Sequence, residues 1–210
     1  MNNYLENLNE EQKLPVLHKD GPLIVIAGAG SGKTRVLTYR IIHLINEGVD
    51  PFNILALTFT NKAALEMKNR ISLITSESVS RSIWMGTFHS IFARILRSEA
   101  PLIGYPTNFT IYDTYDSEKL ISNIIKEKKL DKDTYKAKSI KNRISSLKNN
   151  FITVENYFNN SELIEVDKAA KRDLFGEIYQ EYVRRCFKAS VMDFDDLLLK
   201  TNELLNKSPE

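Results

Sequence analysis

The residues best equipped for chemistry are Ala27-Gly28-Ala29-Gly30-Ser31-Gly32-Lys33-Thr34, spaced A-x4-G-K-T. Small residues from 27 to 32 let the backbone wrap closely, so that successive N–H groups converge on an anion. A helix starting near Lys33 would add the partial positive charge of its first turn. Lys33 brings the full charge that suits the β- and γ-phosphates of a nucleotide. The Thr34 hydroxyl is the type of group that ligates Mg²⁺, which otherwise keeps waters and phosphate oxygens. The position usually held by a first glycine is Ala27 here. A glycine-rich turn without a ligand competes with this reading, but Gly-Lys-Thr in register after an apolar run weighs against it. Nucleotide binding is the expectation.

Little else in the chain is arranged for catalysis. His18, His43 and His89 are scattered, and with one cysteine they offer no zinc-ligand spacing. Cys186, beside Phe187 and Val183 in a helical pattern, reads as a buried structural thiol; alone it makes no intramolecular disulfide and fits a reducing compartment. No apolar run approaches the ~20 residues of a membrane span. Met1-Asn2-Asn3-Tyr4-Leu5-Glu6 lacks the basic start and apolar block of a secretory signal. The cytoplasm is the expected location.

The elements that must hold the loop follow from local pattern. Leu23-Ile24-Val25-Ile26-Ala27 suits a buried parallel strand. Thr34 to Glu47 places Leu37, Ile41, Leu44 and Ile45 on one helical stripe, with Gly48 at the helix C′ position. Ile54 to Phe59 predicts a second strand. Asn61 is the expected cap of a helix whose inner face is Ala64, Met67, Ile71 and Ile74. Ser82 to Thr87 predicts a third strand, followed by helical spacing at Phe88, Ile91, Phe92, Ile95 and Leu96. Strands alternating with helices imply an α/β fold, a parallel sheet covered by helices.

Beyond Asp116 nearly everything has helical period, as in Leu120, Ile121, Ile124 and Ile125, then Ile140, Ile144 and Leu147. The segmentation expected is 1–90, a helical subdomain over 91–190, and 191–210. Net charge is only +2, but nine Lys or Arg face three acids from Lys126 to Asn150, and seven acids face three bases from Phe151 to Val183. By charge alone the basic run is a solvated helix face.

The blocks around the loop narrow the family. Leu8-Asn9-Glu10-Glu11-Gln12, then Gly21-Pro22 and the loop through Arg35, resemble the opening of the UvrD/PcrA/Rep helicases of superfamily 1. Leu57-Thr58-Phe59-Thr60-Asn61-Lys62-Ala63-Ala64 resembles that family's motif Ia, and Gly86-Thr87-Phe88-His89-Ser90 its motif Ib. Met192-Asp193-Phe194-Asp195-Asp196-Leu197 is also similar. The blocks keep the family's order and spacing over almost the whole chain, although 110–190 matches mainly in helical character.

The resemblance implies a P-loop RecA-like sheet with helices on both faces, present in part, and an all-helical insert. It implies ATP and Mg²⁺ as cofactors, with Lys33 and Thr34 catalytic and Thr34 the metal ligand. ATP would be held by Gln12, Ala27, Gly28, Ala29, Gly30, Ser31, Gly32, Lys33, Thr34 and Arg35, with Gln12 reading the adenine edge through one amide donor and one acceptor. Single-stranded DNA, and junctions with duplex, are the implied partners, besides accessory repair or replication proteins. Thr58, Phe59, Thr60 and Asn61 follow a strand end, where ligands of open parallel sheets gather, and Phe59 suits base stacking. By residue type alone Phe59 is the last core residue of its strand; the resemblance assigns it to DNA. Thr87 and His89 fall on the same implied track, although Phe88 and His89 equally suit capping and packing of the next helix. The basic run falls within the insert, where contact with duplex phosphates competes with the solvated face.

A motor of this type needs an acid pair on a later strand to hold Mg²⁺ and position water. Asp193-Phe194-Asp195-Asp196 tempts, but Lys188-Ala189-Ser190-Val191-Met192 before it is too short an apolar stretch for a buried strand, and it leads into a helix. The expectation is therefore a truncated monomer carrying half an active site, from a parent that moves 3′→5′ on single-stranded DNA. Alternatives are the helicase arm of a helicase–nuclease complex, a non-catalytic nucleotide- or DNA-binding module, and a small-molecule kinase. A kinase would leave Thr58 to Ala64 unexplained.

Overall fold

A computed structural model describes residues 4–208. Internal contacts divide the chain into Met1–Ile91 and Phe92–Glu210. The division falls inside one helix, Phe88–Glu99.

In the first unit, helix α1 (Glu10–Leu17) opens with a capping box. The Asn9 side chain accepts from the Gln12 backbone N–H at 2.8 Å, and the Asn9 N–H donates to Gln12 Oε1 at 3.3 Å. Helix α2 (Lys33–Asn46) follows the glycine loop and ends as its sequence predicts: Gly48 takes φ 92° and donates to the Ile45 carbonyl. Of the expected stripe, Ile41 is buried and Leu44 and Ile45 pack against the same core, but Thr38 and Ile42 are buried as well and Leu37 is 39% exposed.

Strands β1 (Leu55–Thr58) and β2 (Trp84–Thr87) pair in parallel, with Leu55 opposite Trp84 and Thr58 opposite Thr87. Helix α3 (Asn61–Ile74) packs Met67 and Ile71 with Ile41, Ile42, Ile54, Ala56 and Ile83 into one core. Its cap is Thr60, whose hydroxyl accepts from the Ala63 N–H, and not Asn61, which is the first helical residue. Short helix α4 (Glu77–Ser82) leads into β2.

The expected first strand differs most. Residues 22–27 form neither helix nor strand and join no ladder among the described residues. Ile24 and Ile26 are 86% and 94% exposed. A continuous apolar, β-branched run favours a strand, but a strand also needs a neighbour to take its N–H and C=O groups.

Helix α5 (Phe88–Glu99) crosses the division and leads into the second unit. That unit contains helices α6 (Thr114–Glu127), α7 (Ala137–Asn149), α8 (Val154–Phe158), α9 (Ser161–Ala169), α10 (Phe175–Lys188) and α11 (Phe194–Lys207). Ile121, Ile124 and Ile125 of α6, Ile140, Ile144 and Leu147 of α7, and Phe175, Ile178, Tyr179 and Tyr182 of α10 close around one core. These apolar residues recur at helical spacing, so each helix turns one stripe inward.

Two short strands depart from the all-helical expectation. Strand β3 (Thr110–Tyr112) lies within 91–190 and pairs in parallel with β4 (Val191–Asp193). All three residues of β4 are buried, so the apolar stretch ending in Val191-Met192, too short to predict a buried strand, forms one. Three residues carry too little alternation to register in a sequence, and their pairing is set by segments eighty residues apart. Strand β4 leads into α11, and Met192, Leu197 and Leu204 pack with Leu96, Ile103, Tyr105 and Phe109 in a second core.

Candidate functional site: the glycine loop and the ends of the parallel strands

The loop is shaped by backbone torsions and short internal bonds. Gly30 (φ 79°) and Gly32 (φ 88°) lie in the left-handed region that favours glycine. The Ser31 hydroxyl and N–H both donate to the Gly28 carbonyl, at 2.7 and 3.3 Å. Gly32 caps α2 without a side-chain hydrogen bond, so no side chain takes the first-turn N–H groups. That helix end suits an anion.

Lys33 is exposed, and its ammonium donates to the carbonyls of Ala27 and Gly28, each at 2.7 Å. The charge is therefore folded onto the inner wall of its own loop, within reach of any anion entering the cradle. Ala27, in place of glycine, contributes through its carbonyl. Thr34 and Arg35 occupy the first turn and are exposed. The Arg35 guanidinium lies over the Tyr39 ring, 5.8 Å from its centroid.

A cleft of about 620 Å³ opens beside the loop. One wall carries Lys33, Thr34, Arg35 and Tyr39 from the start of α2; the other carries Glu66, Arg70 and Leu73 from α3. Arg70 is ion-paired to Glu66 one turn earlier. Sequence reasoning missed Tyr39, Glu66 and Arg70. The available signal was the i, i+4 pair on the polar face of α3. The loop torsions, the uncapped helix end and the cleft together fit a nucleotide bearing phosphates.

Gln12 reaches the same place from α1. Its Nε2 donates to the Ser31 carbonyl at 3.1 Å, while its Oε1 takes the Asn9 N–H. A Cβ built on Gly32 would lie 2.9 Å from Gln12 Nε2, so the close approach uses the missing side chain.

The chain matches the UvrD/REP helicase N-terminal domain over residues 8–210. It is 41% identical to the ATP-dependent DNA helicase PcrA of Staphylococcus epidermidis over 214 aligned residues, covering 100% of this chain and 28% of that protein. Against PcrA of Bacillus subtilis the identity is 43% over 210 residues, again 100% of this chain and 28% of that protein. Against PcrA of Leuconostoc citreum it is 40%, over 97% of this chain and 26% of that protein. The chain belongs to the UvrD/REP helicase family. It spans just over a quarter of the length of these relatives.

The motif Ia and Ib residues meet at one edge. Parallel pairing sets Thr58 opposite Thr87 at the carboxyl ends of β1 and β2. Phe59 is 93% exposed and is not the core residue its type suggested; its ring lies 5.8 Å from that of Phe88, tilted by 45°. The buried Thr58 hydroxyl is shared between the carbonyls of Thr60 (3.1 Å) and Gly86 (3.4 Å), so it shapes the turn. Thr60 caps α3, Thr87 accepts from the Ser90 N–H at 3.3 Å, and His89 is exposed in the first turn of α5. Asn61 is exposed on the first turn of α3. Phe59, Asn61 and His89 thus present side chains to solvent, and the threonines build the turns that carry them.

The tempting aspartates do other work. Lys148 is buried, and its ammonium pairs with Asp193 at 2.7 Å and Asp196 at 2.8 Å. Tyr182 donates to the same Asp193 oxygen at 2.8 Å. Asp193 and Asp196 also form the reciprocal capping box of α11. Burial pushes the Lys148 ammonium down, but the carboxylates of Asp196 and Asp193 outweigh it and hold it above the ordinary lysine range. Burial likewise pushes the Cys186 thiol up to about 12, which suits a structural thiol and not a nucleophile. Lys148 therefore leaves the basic run: it is neither a solvated charge nor a phosphate contact. Among the described residues, no group of three His, Cys, Asp or Glu side chains is placed to hold a metal ion, and no helix is long and apolar enough to cross a membrane.

Proposed function

We propose that this chain is the N-terminal ATP-binding region of a DNA helicase whose parent couples ATP hydrolysis to 3′→5′ translocation on single-stranded DNA and to duplex unwinding. The observation that carries the reading is the uncapped start of α2 behind a loop with Gly30 and Gly32 in left-handed conformation and Lys33 on its inner wall. Family membership over residues 8–210 supplies the context.

In this reading Lys33 leaves the Ala27 and Gly28 carbonyls and turns its charge to the β- and γ-phosphates. The loop N–H groups and the α2 dipole hold the same anion. The Thr34 hydroxyl would be the residue to hold Mg²⁺, which would supply neutralisation of the charge on the transferred phosphoryl group. Arg35 and the α3 wall flank the nucleoside. Phe59 stacks on a base of single-stranded DNA, while Asn61 and His89 border its backbone, with Thr58, Thr60 and Thr87 holding the turns. The apolar run Leu23–Ala27 is the central strand of a RecA-like sheet completed by further parts of the parent, which also provide the Mg²⁺-binding acid pair. The second unit corresponds to the helical insert and the return to the motor domain. The parent works in the cytoplasm in DNA repair or replication, and the isolated chain is a monomer.

Phosphoryl transfer depends on positioning and charge stabilisation, so half a site turns over poorly. ATP hydrolysis by the 210-residue chain, with and without a single-stranded oligonucleotide, is expected not to exceed that of Lys33→Ala. ATP binding by the unmodified chain is expected to be lost in Lys33→Ala. Robust DNA-stimulated turnover abolished by Lys33→Ala would overturn the half-site reading.

A further inference from the structure

We infer that Arg40 is a positioning residue for the nucleotide site: it fixes how helix α1 lies along α2, and so where Gln12 stands beside the glycine loop. The inference rests on the nucleotide-binding reading above and adds to it a residue remote from the phosphates.

Arg40 follows Lys33 on α2 by about two turns, or ~10 Å along the axis. Its Nη1 donates to the Pro15 carbonyl at 2.7 Å and to the His18 carbonyl. Both carbonyls belong to the end of α1, where His18 is the C-cap and gives its own N–H to the Leu14 carbonyl. The final carbonyls of a helix have no N–H one turn on, and that end carries partial negative charge. The partly buried guanidinium answers both needs. Nearer the loop, Val16 of α1 packs with Val36 of α2 and Leu8. At the loop itself, Gln12 Nε2 donates to the Ser31 carbonyl at 3.1 Å.

These contacts differ in what they fix. Apolar burial is non-directional, so Val16 and Val36 hold the helices together without setting their register. The Gln12 bond is exposed and sits at the tip of a flexible side chain. A cation bonded to two main-chain carbonyls is directional, and it grips the backbone of α1. Without Arg40, α1 stays packed on α2 but can slide or turn about the valines. A slide of about an ångström carries the Gln12 amide with it, and hydrogen bonds tolerate only a few tenths of that. Lys19 also ties this region to α2 through Glu47, but those side chains are 50% and 42% exposed, and such pairs contribute little. The groups that meet phosphate lie on the loop and the first turn of α2. Arg40 therefore acts on the part of the affinity that depends on the base.

The test titrates ATP and inorganic tripolyphosphate, which has no base, against Arg40→Met, Gln12→Met and the double variant. Methionine keeps an apolar stem at both positions. Arg40→Met is expected to bind ATP about two- to tenfold more weakly, the equivalent of one hydrogen bond, with tripolyphosphate affinity unchanged. Gln12→Met is expected to show a similar loss, and the double variant no further loss, because Arg40 acts through Gln12. Lys19→Met is expected to bind both ligands as the unmodified chain does.

A residue that only stabilises the fold weakens both ligands together. Parallel loss of tripolyphosphate binding in Arg40→Met would therefore overturn the positioning role. So would fully additive losses in the double variant, or an unchanged ATP affinity in either single one. The same ATP-specific loss in Lys19→Met would show that any tether of α1 suffices, against the assignment to Arg40. An unmodified chain that binds neither ATP nor tripolyphosphate would overturn the nucleotide site itself.

Discussion

The glycine loop and the helical second unit keep their charges in contrasting ways. Lys33 and Arg35 face solvent, and Lys33 is held by backbone carbonyls. In the second unit Lys148, Asp167, Asp193 and Asp196 are buried, and each is paired. Lys148 pairs with two aspartates, and Asp167 accepts from Arg143 at 3.1 and 3.2 Å. Water compensates an exposed cation whichever partner it leaves, so such a charge changes partners cheaply. A buried charge that loses its partner meets the full cost of desolvation. The first arrangement suits a site that must exchange ligands. The second suits a scaffold that must hold one geometry.

The sharpest way to break this comparison is to remove one cation from each region. Lys148→Met strands two carboxylates around an apolar side chain, and the expected loss of stability is about 3–5 kcal/mol. Lys33→Met is expected to stay within ~0.5 kcal/mol of the unmodified chain, as for an exposed position. Urea unfolding followed by near-ultraviolet circular dichroism measures both. Adding Asp193→Asn and Asp196→Asn to Lys148→Met should restore part of the loss, because the stranded charges are then gone. Equal effects at Lys33 and Lys148 would remove the distinction.

The loop and the buried lysine were not equally legible in the sequence. Gly28 to Thr34 declares itself because an anion cradle needs particular residue types in consecutive positions. The helical stripes at Ile121–Ile125 and Ile140–Leu147 were legible for the same local reason, as was Gly48 closing α2. Lys148 was not: its partners lie forty-five and forty-eight residues later, and a lysine in a basic run looks like a solvated charge until the chain is folded. Strands β3 and β4 were hidden by their length. The apolar, β-branched composition of Leu23–Ala27 predicts a strand, but composition does not specify the neighbour a strand needs. The meeting of Phe59 with Phe88 likewise follows from the parallel register of β1 and β2, which no local pattern encodes.

A glycine in each region gives a second, smaller contrast. In α10, a Cβ on Gly176 would lie 2.7 Å from Tyr157 Cε1 and 2.9 Å from Phe158 Cε1. Tyr157 is buried and packs its ring against Phe158 and Phe175, so it has little room to yield. Gly176→Ala gains helix propensity, yet overpacking should leave a net loss of about 1–2 kcal/mol. At Gly32 the nearest atom is the end of the Gln12 side chain, which can swing away, so the stability cost is mainly the left-handed backbone, about 1 kcal/mol. The larger effect of Gly32→Ala is expected in ATP affinity, and that of Gly176→Ala in the unfolding midpoint. A Gly176→Ala chain as stable as the unmodified one would show that the helical core yields more readily than its contacts imply.

The smallest expected effect tests whether burial, and not pairing itself, makes the second unit's charges matter. Glu181 accepts from Arg184 at 2.7 Å through both nitrogens and from Arg185 at 2.6 Å, with the acid preceding the bases along α10 as helix pairs prefer. Those bonds hold its carboxyl at about 2, against an ordinary 4.5. The folded value is the lower one, so the stabilisation is complete above the unfolded value. It is lost as pH falls from about 4.5 towards about 2. Arg184 is 59% exposed, and water and salt screen the cluster, so Glu181→Gln should cost only about 0.5–1 kcal/mol at neutral pH. The cost should vanish near pH 2 and shrink in ~1 M salt, where the Debye length is ~3 Å. The penalty of Lys148→Met should persist in that salt, because no ion reaches a side chain enclosed by Asp193, Asp196 and Tyr182. If both penalties faded together with salt, the Lys148 network would be open to water, and the contrast between exchangeable and fixed charges would have to be redrawn around access and not burial.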